Sequence, residues 1–234
     1  MSKAQSQRRD SAHSAHQRSF SAKHAVFLVL GLTALFILYH DERFIFDHES
    51  STWKFFYPVR WKLFAHAIGG ATALVLGAFQ FSTRLRQRHP AVHRLGGRFY
   101  IAGVLVAAPV AIYLAFTHAL PIMSVETAAQ ASVWGLTTLM ALLAARNRNF
   151  EVHKQWMMRS YAITLIFVIS RVVLAIPIVA PTTDVGAEHL NWILVICALL
   201  VPQLIINWRQ LFSRPSPNLA QHTAATLPGT SESQ

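Results

Sequence analysis

Charge is scarce in this chain and cysteine is almost missing. Asp, Glu, Lys and Arg make up 13% of its 234 residues, against about 25% in an ordinary soluble domain. That shortage excludes a disordered protein and argues against a soluble globular enzyme. A single cysteine, Cys197, excludes a disulfide framework, a thiolate zinc site, an iron–sulfur cluster and covalent c-type haem attachment. No phosphate-binding glycine loop, nucleophile elbow or paired-histidine zinc motif occurs. Asp and Glu are also missing from the interior of every long apolar run. That counts against a pump that relays protons through buried carboxylates.

What is present is apolar. Hydrophobic residues form 53% of the chain, gathered into six runs at roughly 25–39, 61–82, 99–118, 126–145, 159–180 and 190–208. At 1.5 Å per residue each run crosses, or nearly crosses, a hydrocarbon core of about 30 Å. Lipid cannot satisfy open backbone groups, so each run is predicted to be a helix. The fold class expected is all-α: a six-helix transmembrane bundle over residues 23–212. Polar tails at 1–22 and 213–234 have the composition of disordered segments. The first run has a long polar lead and no small-x-small cleavage site, so it reads as a retained span.

The excess of positive charge sets the direction. Lys3, Arg8, Arg9, Arg18 and Lys23 precede the first run, and Arg84, Arg86, Arg88, Arg94 and Arg98 join the second to the third. Arg146, Arg148, Lys154 and Arg159 join the fourth to the fifth, and Arg209 and Arg214 follow the last. These are 16 of the 21 basic residues, and all fall on one side. The positive-inside rule therefore puts both termini in the cytoplasm. Asp41, Glu42, Asp47, Glu49, Glu126, Asp184 and Glu188 fall on the opposite face. The net charge of +11 thus marks topology, and nucleic acid is not an expected partner. The loop between the first two runs holds Phe44, Phe46, Trp53, Phe55, Phe56, Tyr57 and Trp61, an aromatic belt for the outer interface.

Four histidines stand at run ends: His66 and His118 at the outer level, His93 and His153 at the inner one. Histidines facing across a bundle can hold a b-type haem through both axial positions, so two pairs suggest one haem per leaflet. His66, Gly70, Ala73, Gly77 and Gln80 share a helical face, as do His153, Met157, Ser160, Thr164, Phe167 and Arg171. Small residues beside a histidine leave room for a flat macrocycle. They equally let two helices approach closely, with Gly70 and Gly77 as the contact points. Arg171 is the one basic residue well inside a run. A buried charge there needs a partner such as a propionate, another anion, Glu126 or Asp184.

Two inner motifs read His93-Arg94-Leu95-Gly96-Gly97-Arg98-Phe99-Tyr100 and His153-Lys154-Gln155-Trp156-Met157-Met158-Arg159-Ser160-Tyr161-Ala162. With His66, Gln80 and Arg171 they resemble a bacterial family of predicted multi-pass membrane proteins of unknown function. That resemblance covers roughly residues 60–175. It implies an inner (plasma) membrane location and brings no established activity. The histidine layout is more distantly similar to six-helix, two-haem b-type cytochromes. There four central helices supply crossed ligands; here the third run carries two of the four and the fourth none.

The expected function is therefore a membrane protein holding haem b through His66 with His118, His93 with His153, or one such pair, with Arg171 beside the cofactor. Such a protein is, if an enzyme at all, a membrane redox protein, with a quinone or another redox protein as partner. The alternatives are a non-redox scaffold or assembly factor, or a carrier or lipid-binding protein that uses Arg171 for an anionic group. Arg94, Arg98 and Arg159 sit where lipid phosphates do and are expected to bind them.

Overall fold

The helices begin and end on residues whose chemistry dictates it. The computed structural model describes residues 31–33, 36, 39 and 47–212. Ser50 opens α1 (Ser51–Phe56), its Oγ accepting from the Trp53 amide at 3.1 Å. A 3₁₀ turn, Tyr57–Val59, leads into α2 (Arg60–Gln80). Ser82 caps the short α3 (Thr83–Arg88), and Pro90 is the first residue of α4 (Pro90–Thr117). Pro121 starts α5 (Pro121–Arg146) with Leu120 extended before it, as a residue preceding proline prefers. Asn149 caps α6 (Phe150–Leu174), which stops short of Pro177. The last helix, α7, is Asp184–Phe212.

Among the described residues there is no strand, and five helical stretches are long and apolar enough to cross a membrane. The expectation of all-α architecture with several spans is met by these five. The expected first span, 25–39, falls mostly outside the described residues, as do the tails at 1–22 and 213–234 and the loop residues Phe44 and Phe46. Helix starts expected at 99, 126, 159 and 190 move to Pro90, Pro121, Phe150 and Asp184. Hydropathy marks only the part of a helix that lies in hydrocarbon. Backbone hydrogen bonding continues past it for one to three turns, so both histidine motifs lie on helix rather than in linkers.

α2, α4, α5 and α6 form a ring in which each packs on the next and α2 also meets α6. α7 lies outside, against α6 and α5. The interior is built from small residues: Ala73, Ala107 and Ala141 are fully buried, and Ala108, Ala115 and Ala131 nearly so. Large apolar side chains point outward instead, with Ile68, Phe116, Leu136 and Leu204 each at 60% exposure or more. A water-soluble fold does the reverse. Lipid is as apolar as leucine, so a membrane bundle gains from close backbone approach rather than from hiding large side chains.

The closest approach is between α2 and α4. A Cβ on Gly69 would stand 2.5 Å from the Gly103 carbonyl oxygen, and one on Gly103 would stand 2.7 Å from that of Gly69. Gly70, the expected contact point, has open space beside it. Gly77 does pack tightly, but against rings: a Cβ there would meet Tyr161 at 2.4 Å and Tyr100 at 2.8 Å.

Candidate functional site

The two motifs meet inside the bundle. Tyr100, the last residue of the first, is fully buried on α4, and its hydroxyl lies 2.6 Å from the Ser160 Oγ of the second. Ser160 lies 2.6 Å from Thr138 Oγ1 on α5, and Thr138 donates to the Trp134 carbonyl at 2.8 Å. The carbonyl can only accept, so the direction of the whole chain is fixed. Tyr100 donates to Ser160, Ser160 to Thr138, and Thr138 to backbone. The Trp134 indole donates to Thr164 Oγ1 at 2.9 Å, and Thr164 donates to the Ser160 carbonyl at 3.1 Å. Tyr161 donates to the Leu74 carbonyl at 3.2 Å. Each hydroxyl proton in this centre has an acceptor. A hydroxyl chain that terminates on a backbone carbonyl offers a proton no exit, so the centre acts as a clasp joining α4, α5 and α6.

Next to the clasp, at the end of the bundle where α2 finishes and α4 and α6 begin, lie Gln80, His93 and His153. His153 Nδ1 is 2.8 Å from the Ala141 carbonyl of α5. Nδ1 therefore carries the proton, and the lone pair is on Nε2. His93 is held differently. The Gln80 amide nitrogen donates to His93 Nδ1 at 3.2 Å and to the His93 carbonyl at 3.1 Å, while its oxygen accepts from the Gly97 amide at 3.2 Å. Glycines make this possible: in this orientation a Cβ on Gly96 would stand 2.8 Å from the Gln80 amide oxygen and one on Gly97 3.2 Å from its nitrogen. With its Nδ1 accepting, His93 carries its proton on Nε2. His93 and His153 act on each other electrostatically, and Arg86 and Arg94 act on His93 in the same way. The inner pair expected from sequence is therefore brought to one end, in a cationic setting.

The outer pair is not brought together. His66 donates from Nδ1 to the Ala107 carbonyl at 3.0 Å. His118 follows the end of α4, eleven positions beyond Ala107, or about 16 Å of helix rise. There its ring lies against both Phe55 and Phe56, centroids 5.4 and 5.9 Å away, and its Nδ1 meets Thr117 Oγ1 at 2.9 Å.

Arg94 and Arg98 are exposed on α4. Arg159 is half-buried, hydrogen-bonded to Gln203 of α7 and stacked on Trp156 with its guanidinium 4.8 Å from the ring centroid. Arg171 is half-buried with its guanidinium 5.4 Å from the Phe167 ring centroid. It borders an apolar groove of about 360 Å³ that Leu32, Phe36 and Ile176 also line.

Glu126 departs from expectation. It is one of the partners that the sequence offers Arg171. Instead its Oε2 meets Thr127 Oγ1 at 3.3 Å and Asn191 Nδ2 of α7 at 3.5 Å, and the residue is 1% exposed. The signal was available in the register. Thr137 and Ala144 share the helical face of Glu126, and both are buried. Among the described residues no group of three or more His, Cys, Asp or Glu side chains assembles to hold a metal ion. A metal at the inner pair must bring most of its own ligands.

Residues 63–209 match the model of a family described as "Predicted membrane protein (DUF2306)". No curated protein and no solved structure matches the chain.

Proposed function

The chain belongs to the DUF2306 family of predicted membrane proteins, and from that premise we propose that it holds one b-type haem at the inner end, between His93 and His153. The observation that carries this reading is the juxtaposition of two histidines from separate motifs where three helices converge. Each imidazole ring is oriented through its Nδ1 by a second group. Haem iron needs only two protein ligands because the macrocycle supplies four, which suits a site without a third His, Cys, Asp or Glu.

The donor set fits with one adjustment. His153 presents an Nε2 lone pair as it stands, because Nδ1–H is committed to the Ala141 carbonyl. His93 presents one only when the Gln80 amide turns over, so that its oxygen accepts from Nδ1–H, and that turn gives up the bonds to the His93 carbonyl and the Gly97 amide. Arg86 and Arg94 supply positive charge for carboxylates at the mouth of the site. The separation of His66 from His118 favours a single site over a pair spanning the bilayer. A haem held by His93 and His153 would supply one-electron exchange. The protein's part is to orient the rings, to bury the site and to set its charge.

The test is the visible spectrum of detergent-purified protein, oxidised and then dithionite-reduced, with a haem-to-protein ratio. A sharp reduced α band that disappears in His93→Ala and in His153→Ala, and persists in His66→Ala and His118→Ala, is the expected result. A colourless, helical, monodisperse protein from haem-replete cells overturns it in favour of a non-redox scaffold.

A second reading rests on the groove at Arg171. An apolar channel with a guanidinium beside it suits an amphiphile with an anionic head, as in a lipid-binding protein or carrier. Retention of acidic lipid by the wild type, lost in Arg171→Gln with the fold intact, is the result this reading requires.

A further inference from the structure

At the opposite end of the bundle from the histidine pair, one carboxylate oxygen has nothing to bond. Glu126 is 1% exposed, and its Oε1 is buried without a hydrogen-bond partner. Its Oε2 has only the two long contacts, to Thr127 Oγ1 and Asn191 Nδ2. No described Lys, Arg or His lies within ion-pair distance of it; the one ion pair among the described residues joins Lys54 and Glu49 at the surface. The charged group that does act on it is another acid. Glu188, one turn before Asn191 on α7, acts on Glu126 electrostatically and accepts from the Trp192 indole at 3.3 Å. An anion with an orphan oxygen, an acidic neighbour and a bilayer around it lacks the partner that buried charges require.

We propose that Glu126 is a cation-binding carboxyl set between α5 and α7, whose bound cation is a proton or a sodium ion. The oxygens at that position are both carboxylate oxygens of Glu126 and the hydroxyl of Thr127, while Asn191 turns its amide nitrogen toward Oε2. A proton occupies Oε1 and makes the group neutral. A sodium ion uses the oxygens together and needs no soft ligand. The position lies near one end of the bundle, with Glu126 in the second turn of α5 and Glu188 in the second turn of α7. This site is independent of the haem reading, since it shares no residue with the inner pair.

The test is carbodiimide labelling of the intact purified protein in detergent, read by mass spectrometry. Dicyclohexylcarbodiimide adds a protonated carboxyl across its C=N bond. The acid proton goes to nitrogen, the carboxylate oxygen to carbon, and nothing leaves. The expected result at neutral pH is one adduct that maps to Glu126, disappears in Glu126→Gln and persists in Glu188→Gln. Raising the pH should suppress it at least tenfold. Protection by sodium but not by potassium identifies sodium as the competing ligand. Absence of protection leaves the proton alone.

Infrared difference spectra between acid and alkaline samples give a second readout that needs no reagent access. A carboxylic C=O stretch missing from Glu126→Gln is expected. An adduct on Glu188 in place of Glu126 overturns the proposal. So does the absence of both the adduct and the infrared band.

Discussion

Tyr100 and Ser160, 60 positions apart in the chain, are joined by a 2.6 Å hydrogen bond inside the bundle. The bond unites the two sequence motifs and fixes which way each hydroxyl in the centre points. The direction has an energetic consequence. Removing a donor leaves only an acceptor unfilled, whereas removing the acceptor strands a buried proton.

Tyr100→Phe is therefore expected to cost little. Its ring still fills the space against Gly77, and about 1 kcal/mol is the expected loss for one hydrogen bond between membrane helices. Thr138→Val strands the Ser160 hydroxyl and should cost more, about 1–3 kcal/mol. Thermal unfolding of both variants in one detergent checks the order. Equal losses, or a larger one for Tyr100→Phe, would contradict the assigned direction.

Two adjacent glycines should behave oppositely. Gly69→Ala forces a methyl against the Gly103 carbonyl oxygen, where only 2.5 Å is free. The α2–α4 contact must open, with a loss of about 1–3 kcal/mol or more. Gly70→Ala meets open space and gains up to about 1 kcal/mol of helix propensity. Detergent stability curves for the two variants, run side by side, decide it.

Gln80 tunes the inner histidine pair. In Gln80→Glu the side chain, ionised, can only accept, so it holds the proton on His93 Nδ1 and leaves Nε2 free. A haem held there should then have a lower midpoint potential than in the wild type, since an anionic partner makes the ligand more electron-rich. Gln80→Leu removes the orienting group and should reduce haem occupancy about 10-fold or more. Redox titration followed at the reduced α band measures both, and an unchanged potential in Gln80→Glu means Gln80 does not set the ligand.

Orientation in the membrane is testable through the turns. In a Cys197→Ser background, Asn147→Cys in the α5–α6 turn should react with an impermeant maleimide only in inside-out vesicles. Thr182→Cys, before α7, should react only from the outside. The reverse pattern would invert the topology that the arginine distribution gives.

The all-helical architecture with several spans was legible because hydropathy is a strong, additive signal over about 20 residues. Local extent was not. His93 and His153 sat in presumed linkers until the helices proved to start at Pro90 and Asn149-capped Phe150. The pairing of these two histidines could be read from topology alone, because the motifs begin alternate spans on the same side. The pairing of His66 with His118 could not. Both belong to the outer level in a six-run diagram, but a diagram carries no depth, and along α4 they differ by eleven positions. The clasp was half legible: Ser160 and Thr164 stood out on their helical face, whereas Thr138 and Trp134 look like ordinary residues of an apolar run. Gly69 lost to Gly70 by one position. A step of 100° separates a glycine that touches the neighbouring backbone from one that faces open space.

The backbone contact at Gly69 and Gly103 also has a mechanical consequence. Two helices that touch main chain to main chain cannot roll about their own axes without first separating. α2 and α4 thus form a stiff spine, which the hydroxyl clasp extends through α5 and α6. α7 is attached otherwise: it packs Val195 and Ala198 into the core and adds two side-chain bonds, Asn191 to Glu126 near one end and Gln203 to Arg159 near the other. These are side-chain tethers that can break and re-form singly. The polar links of α7 to the frame can therefore change one at a time, whereas α2 and α4 move together.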